Sequence, residues 1–289
     1  MYIDAHTHLD FYNENIDKAI EYINKNKILT LANSMDIESY KLNKSYLEKS
    51  KYIKVLFGIH PWKAHEFKCD LNSIIPYIEE SELIGEIGLD YLWVEDKSVF
   101  KRQREVFYFI LDEAIKRNKF VTLHTKEAEE EIYNALKIRN YNRVIIHWYS
   151  GNIELLDKFI DLGCYFTISV DIGYSKLTEE VLNKIPLDRL LLETDGPTAL
   201  EWVNGIYGYP IEIKRVYEVV SKYKNIELDK LKNIIKGNYL KIINSKTWHL
   251  KYDCIQCIYK LNKNLGGQWT AWDKIDTILT HNLIWIMPT

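Results

Sequence analysis

The sequence predicts a (β/α)8 TIM barrel with a short C-terminal appendage, and three observations carry that prediction. Short β-rich runs alternate with amphipathic stretches through eight units. The runs are apolar on both faces, as strands covered on both sides must be. No glycine-rich phosphate turn follows an early run, which removes the doubly wound alternative. In chain order the predicted strands are Tyr2–Ala5, Ile28–Ala32, Ile53–Ile59, Leu83–Glu86, Phe120–His124, Val144–His147, Tyr165–Ser169 and Leu190–Thr194. The helices between them are Ile16–Asn26, Ser39–Lys49, Leu71–Glu80, Val99–Arg117, Ala128–Leu136, Ile153–Leu162 and Thr178–Ile185. Ile211–Tyr223 follows the eighth strand, and Leu231–Ile243 closes the barrel.

Residues 1–245 are therefore read as the barrel domain and 246–289 as an extension of different character. The extension holds four of the eight tryptophans (Trp248, Trp269, Trp272, Trp285), Cys254, Cys257 and a Gly266-Gly267 turn. It is expected to pack on the barrel or on a protein partner. Cys254 and Cys257 have zinc-ligand spacing, and His249 and His281 would complete four ligands. The second half lacks a paired knuckle, so a structural zinc is not the expectation there.

A net charge of −3 offers a polyanion no global attraction, so a nucleic-acid substrate needs a local basic groove or metal ions. Four cysteines make no disulfide framework in 289 residues. The first residues show no basic segment leading into an apolar run, and no window approaches the ~18 apolar residues of a membrane span. The expectation is a cytoplasmic protein without a membrane partner.

The chemistry is carried by where the histidines fall. His6 and His8 end the first predicted strand in Asp4-Ala-His-Thr-His8. Residues two apart on a strand share a face and can chelate one cation. Glu86 ends the fourth strand, His124 the fifth and His147 the sixth, while His60 follows the third and Asp195 the eighth. Five of eight histidines thus stand at strand C-termini, the face on which barrel enzymes build their sites. A core-packing account fails, because unpaired buried imidazoles are costly and a barrel interior favours branched aliphatics. Imidazoles with carboxylates suit zinc, manganese or magnesium-like cations, and Glu86 has two oxygens with which to bridge two of them. Metal-bound water becomes a nucleophile near neutral pH, and Asp195 can ligate and accept its proton.

The segments around these residues resemble the TatD family of metal-dependent nucleases, among the amidohydrolase-like barrels. They are Ile3-Asp-Ala-His-Thr-His-Leu9, Gly58-Ile-His-Pro61, Gly85-Glu-Ile-Gly-Leu-Asp-Tyr91, Leu123-His124, His147-Trp-Tyr-Ser-Gly151, Leu191-Leu-Glu-Thr-Asp-Gly-Pro197 and Gly237-Asn238. The resemblance implies two divalent cations, one held by His6, His8, Glu86 and Asp195, the other by Glu86, His124 and His147. It places His60 against the scissile phosphate and implies 3′–5′ exonuclease cleavage of DNA, with single-stranded or frayed ends, and RNA as a further candidate.

The departures from the family lie at the mouth. Lys126 replaces an arginine and loses its bidentate fork. Trp62 stands where a second histidine is common, and residues 198–210 replace a Pro- and Arg-rich segment. Trp62, Trp93, Trp148, Trp202 and Tyr207 fall in predicted loops near the mouth, with Trp62 and Trp202 the expected base-stackers. Lys126, Lys63 and Lys176 are candidate phosphate contacts. Asp4, Asp90 and Glu193 are candidates to orient the ligand histidines. Two rival readings share these residues: an amidohydrolase acting on a small amide, lactone or phosphoester, and a metal-binding docking module.

Overall fold

Each apolar run is separated from the next by a helix, which returns the chain to the same end and makes neighbouring strands parallel. The structure, a computed structural model, describes residues 1–244, and the extension with its tryptophans, Cys254, Cys257, His249 and His281 lies outside them. The strands are β1 (Tyr2–Thr7), β2 (Ile28–Asn33), β3 (Ile53–Leu56), β4 (Ile84–Asp90), β5 (Val121–Lys126), β6 (Val144–Ile146), β7 (Tyr165–Ile168) and β8 (Leu190–Leu192). They pair in parallel as β1-β2-β3 and β4-β5-β6-β7-β8.

Two seams join these sheets into one ring. At the first, Phe57 bridges Ile84 and the Gly85 N–H donates to the Phe57 carbonyl at 2.9 Å. At the second, Asp195 N–H donates to the His6 carbonyl at 2.9 Å, and His8 N–H to that of Gly196 at 3.0 Å. The chain is a (β/α)8 barrel.

Strands β1 and β4 are buried along nearly their whole length, so the apolar runs are covered on both faces. The helices cover the outside through one face each: Ile16–Asn26 buries Ala19, Ile20 and Ile23, and Ile213–Tyr223 buries Ile213, Val216, Tyr217 and Val220. Each such side chain contributes about 1.5–3 kcal/mol when fully buried. Local chemistry sets the helix ends. Asp36 caps Ile37–Ser45 by accepting from Ser39 N–H at 2.8 Å. Asn152 caps Ile153–Leu162, and Gly163 closes it at φ 95°, where a Cβ would be strained.

The structure departs from the expected boundaries mostly at the mouth. β1, β4 and β5 run further than the sequence suggests, because their polar ends find partners there and the pleat continues: Thr7 pairs with Ala32, and Asp90 with Lys126. β3 is shorter, because the Phe57 N–H is taken by the Ser81 hydroxyl at 2.9 Å. Two short helices, Pro61–Ala64 and Thr198–Asn204, occupy stretches that the sequence leaves as loops. Among the described residues, no helix is long and apolar enough to cross a membrane.

Candidate metal centre

Glu86 is the hub of the site, and the backbone around it explains how it gets there. Gly58, two residues past the end of β3, lets that segment approach so closely that a Cβ would stand 2.3 Å from the Glu86 carbonyl oxygen. The buried Glu86 carboxylate then divides its two oxygens between two groups. Oε2 lies 3.2 Å from His6 Nε2 and 3.3 Å from His8 Nε2. Asp195 Oδ1 stands 3.6 and 3.5 Å from the same two nitrogens. Oε1 lies 2.9 Å from His124 Nδ1, 3.0 Å from His147 Nε2 and 3.5 Å from His60 Nε2. Five of the six ligand candidates read from the sequence, with His60, therefore line one cavity of about 270 Å³, and His6, fully buried, stands behind it in contact range of Glu86, His8, His147 and Asp195.

Two further carboxylates set the tautomers. Asp90 Oδ2 stands 2.8 Å from His124 Nε2, so that nitrogen carries the proton and Nδ1 turns its lone pair to the centre. Glu193 Oε1 stands 3.3 Å from His147 Nδ1, so the neutral ring, the form that ligates, would turn its Nε2 lone pair inward; burial acts against charge on His147, yet Glu86 and Glu193 raise it well above the usual imidazole range. His147 Nε2 is buried and makes no hydrogen bond of proper geometry, although Glu86 Oε1 stands 3.0 Å away. This is the carboxylate–histidine arrangement that orients metal ligands. His60 differs. Its Nδ1 accepts from the Trp62 N–H at 3.2 Å, so the neutral ring carries its proton on Nε2 and offers the centre a donor. Burial pushes His60 down to about 4, which keeps it neutral.

Electrostatics follow from crowding one carboxylate with imidazoles. Burial opposes the charge on Glu86, but His147, His60 and His6 hold it well below the carboxylate range. Burial and the neighbouring His147 hold His6 down. Burial also acts against His8, yet Glu86 and Asp195 raise it to about 9. The donor set is one that divalent cations fit: inward lone pairs, a buried imidazole nitrogen without a proper hydrogen bond and two carboxylates to neutralise positive charge.

The other expected residues separate. Asp90 and Glu193 touch histidines, as expected. Asp4 does not: its carboxylate accepts from Thr194 N–H at 2.9 Å and Thr194 Oγ1 at 2.6 Å, so it ties β1 to β8. Trp62 lines the cavity as well, with its indole N–H donating to Asp90 at 2.7 Å and its ring edge-on to His60, so its orientation is fixed. Lys126 reaches the cavity but is already held, donating to the Trp148 carbonyl and the Ser150 hydroxyl at 2.9 Å each. Trp93 and Trp202 both line the cavity while about two-thirds exposed. Tyr207 packs instead against Tyr12 and Tyr209. Lys63 pairs with Glu66 at 2.9 Å, and Lys176 is exposed at a helix start. Cys164 is buried and free, and Cys69 is exposed and free.

Asp171 and Thr198 also line the cavity, and neither was evident from the sequence. Asp171 stands in the loop after β7, three residues past the strand's end, where no strand period reports its direction.

Replacing Asp90 by Asn is expected to weaken cation binding about 10–100-fold, because His124 loses the acceptor that fixes its tautomer, and to lower the melting temperature, because the Trp62 indole shares that buried oxygen. Isothermal titration of the variant with Mn²⁺ checks this. Unchanged affinity would separate Asp90 from the centre.

A ring of parallel strands with histidines and carboxylates gathered at its C-terminal mouth defines a metal-dependent hydrolase of the α/β-barrel class. More particularly, the chain belongs to the TatD family: the model for TatD related DNase matches residues 3–244. A metal-dependent hydrolase of Methanocaldococcus jannaschii, MJ1582, is 28% identical, covering 85% of this chain and 98% of its own. The "Putative deoxyribonuclease TATDN1 homolog" of Enterocytozoon bieneusi is 29% identical, covering 79% and 90%. Among solved structures, the TatD homologue YjjV of Escherichia coli superposes with a TM-score of 0.76 at 24% identity, over 84% of this chain and 98% of that one. At that identity the superposition speaks for the fold.

Proposed function

We propose that this protein is a deoxyribonuclease that removes nucleotides from the 3′ end of single-stranded or frayed DNA, using two divalent cations. The observation that carries the two-cation reading is the division of Glu86: one oxygen faces His6 and His8, which Asp195 also approaches, and the other faces His124 and His147. When bound, divalent cations in such a site acidify water and offset the charge of the phosphate. Asp195 accepts the proton of the attacking water. His60, neutral with Nε2–H inward, donates a hydrogen bond to a phosphate oxygen. The name of the Enterocytozoon bieneusi relative supports a DNA substrate.

Base stacking falls to Trp93 and Trp202 in this reading. They stand on the loops after β4 and β8, which lie opposite each other in an eight-strand ring, and their exposed faces are open to an unstacked base. Lys126 Nζ, with two N–H groups held, has its third for a phosphate oxygen.

The test is digestion of 3′- and 5′-labelled single-stranded DNA, RNA and a neutral ester with Mg²⁺, Mn²⁺ or Zn²⁺. Stepwise shortening from the 3′ end, abolished by EDTA, is the expected result. Turnover of the neutral ester with none on DNA or RNA would overturn it in favour of amidohydrolase chemistry. Lys126→Ala is expected to lower kcat/KM on DNA roughly 10-fold and to flatten its salt dependence, since one charged phosphate contact is lost. A neutral ester would respond to neither the substitution nor salt.

A further inference from the structure

Strand β7 is conspicuous for what it leaves out. β1, β4, β5, β6 and β8 carry the ligand candidates on themselves or on the residues just beyond them, and His60 follows β3. β7 lies between β6 and β8, beside His147 and Asp195, yet the one acidic side chain that its loop puts on the cavity is Asp171.

Asp171 is held in place by groups that leave one of its oxygens without a full hydrogen bond. Its carbonyl accepts from Tyr174 N–H at 2.8 Å and Ser175 N–H at 2.9 Å, which fixes the loop. The Thr178 hydroxyl donates to Oδ2. Oδ1 is buried, in a residue only 7% exposed, and makes no hydrogen bond of full geometry, the Trp148 indole being the donor near the carboxylate. A helix-capping role does not account for it. The helix Lys176–Lys184 is capped by Ser175, whose hydroxyl accepts from Thr178 N–H at 3.2 Å. Among the described residues, no candidate ligand hydrogen-bonds to Asp171. An ionised oxygen buried without a full hydrogen bond is expensive, whereas a protonated one becomes a donor for whatever occupies the cavity.

The surrounding groups shift Asp171 upward from the usual carboxylate value. Burial raises Asp171 and Glu193 adds to that, against the Thr178 hydroxyl, the Trp148 indole and the Lys126 ammonium. Burial lowers Lys126, and the charges of Asp195, Glu129, Glu193 and Asp171 act against that.

We propose that Asp171 is the general acid that protonates the leaving oxygen. The proposal rests on the phosphodiesterase reading above. As water attacks phosphorus and loses its proton to Asp195, the bond from phosphorus to the leaving oxygen breaks. Its electron pair stays on that oxygen, which takes the proton from the Asp171 carboxyl group. The carboxylate so formed faces Lys126 and regains a proton from solvent before the next turnover.

The test compares two diesters that share a thymidine 5′-phosphate and differ in leaving group. One is a thymidine dinucleotide, whose nucleoside alkoxide must be protonated to leave. The other is the 4-nitrophenyl ester, whose phenolate leaves without a proton. Asp171→Asn keeps an acceptor for Thr178 and removes the proton. It is expected to lower kcat on the dinucleotide by about 100-fold or more, and to leave the 4-nitrophenyl ester near the wild-type rate, which also reports that the protein is folded. The basic limb of the dinucleotide pH profile should disappear, and Asp171→Glu should recover part of the rate. An equal fall on both esters would overturn the assignment, as would an undiminished dinucleotide rate. If the wild-type protein cleaves neither diester, the phosphodiesterase reading fails first and takes the proposal with it.

Discussion

Glu86→Gln is expected to reduce turnover by about 10³-fold or more while the protein stays folded, because one substitution touches both halves of the centre. Glutamine has nearly the same shape, so packing against β3 and β5 is preserved. What it removes is an anionic oxygen between two groups of imidazoles, in a dry site where a fixed charge is worth far more than in water. Oε2 stands 3.2 Å from His6 Nε2 and Oε1 2.9 Å from His124 Nδ1. An amide puts a neutral oxygen on one side and an N–H donor on the other. The donor side then repels a cation outright. Bound metal, turnover and a melting curve on the same preparation decide the matter. A folded Glu86→Gln protein with wild-type turnover and full metal content would remove Glu86 from the centre.

Gly58→Ala is expected to act on the same carboxylate through the backbone. The added methyl would meet the Glu86 carbonyl oxygen at 2.3 Å, the Glu86 nitrogen at 2.5 Å and the Gly85 carbonyl carbon at 2.6 Å. These are backbone atoms of a neighbouring strand, so no side chain can swing away and the segment past β3 must part from β4. Overpacking of this kind costs about 1–3 kcal/mol or more. In a domain of this size that lowers the melting temperature by roughly 2–12 °C. The displacement falls on the residue that joins the two ligand groups, so cation binding should weaken as well. Gly237→Ala is the control, since a Cβ there meets nothing within 4 Å, and its stability should hold or rise. Equal melting curves and equal metal affinity for Gly58→Ala and wild type would mean that the close approach does not position Glu86.

The parts of the site legible in the sequence share one physical property: they are fixed by strand geometry. His6 and His8 share a face because strands alternate, and Glu86, His124 and His147 are predictable because strand ends in a parallel barrel open onto one mouth. The partners that tune these groups were harder to read, since they depend on distances between strands rather than along them. Asp90 and Glu193 could be named as orienting carboxylates, but Asp4, spaced in the same way, turns to Thr194. Period two gives the face of a side chain and is silent on which neighbour it meets. The loops were least legible. The sequence says nothing of the 2.7 Å bond that orients Trp62 on Asp90, and Asp171 depends on a turn whose path no periodicity records. The strand boundaries differ for a related reason: Thr7 at the end of β1 and Thr125-Lys126 at the end of β5 look like loop in the sequence but are strand residues, and β4 runs on through Ile87-Gly-Leu-Asp90.

The central claim, that Glu86 bridges two cations, is open to one direct measurement. The metal-free protein is loaded with Mn²⁺, the bound ions per chain are counted, and the electron paramagnetic resonance spectrum is recorded. Two ions sharing a carboxylate couple magnetically, so the account predicts two Mn²⁺ per chain with an exchange-coupled spectrum in place of the six-line signal of isolated Mn²⁺. One ion per chain, or two whose spectra are those of isolated ions, would contradict it.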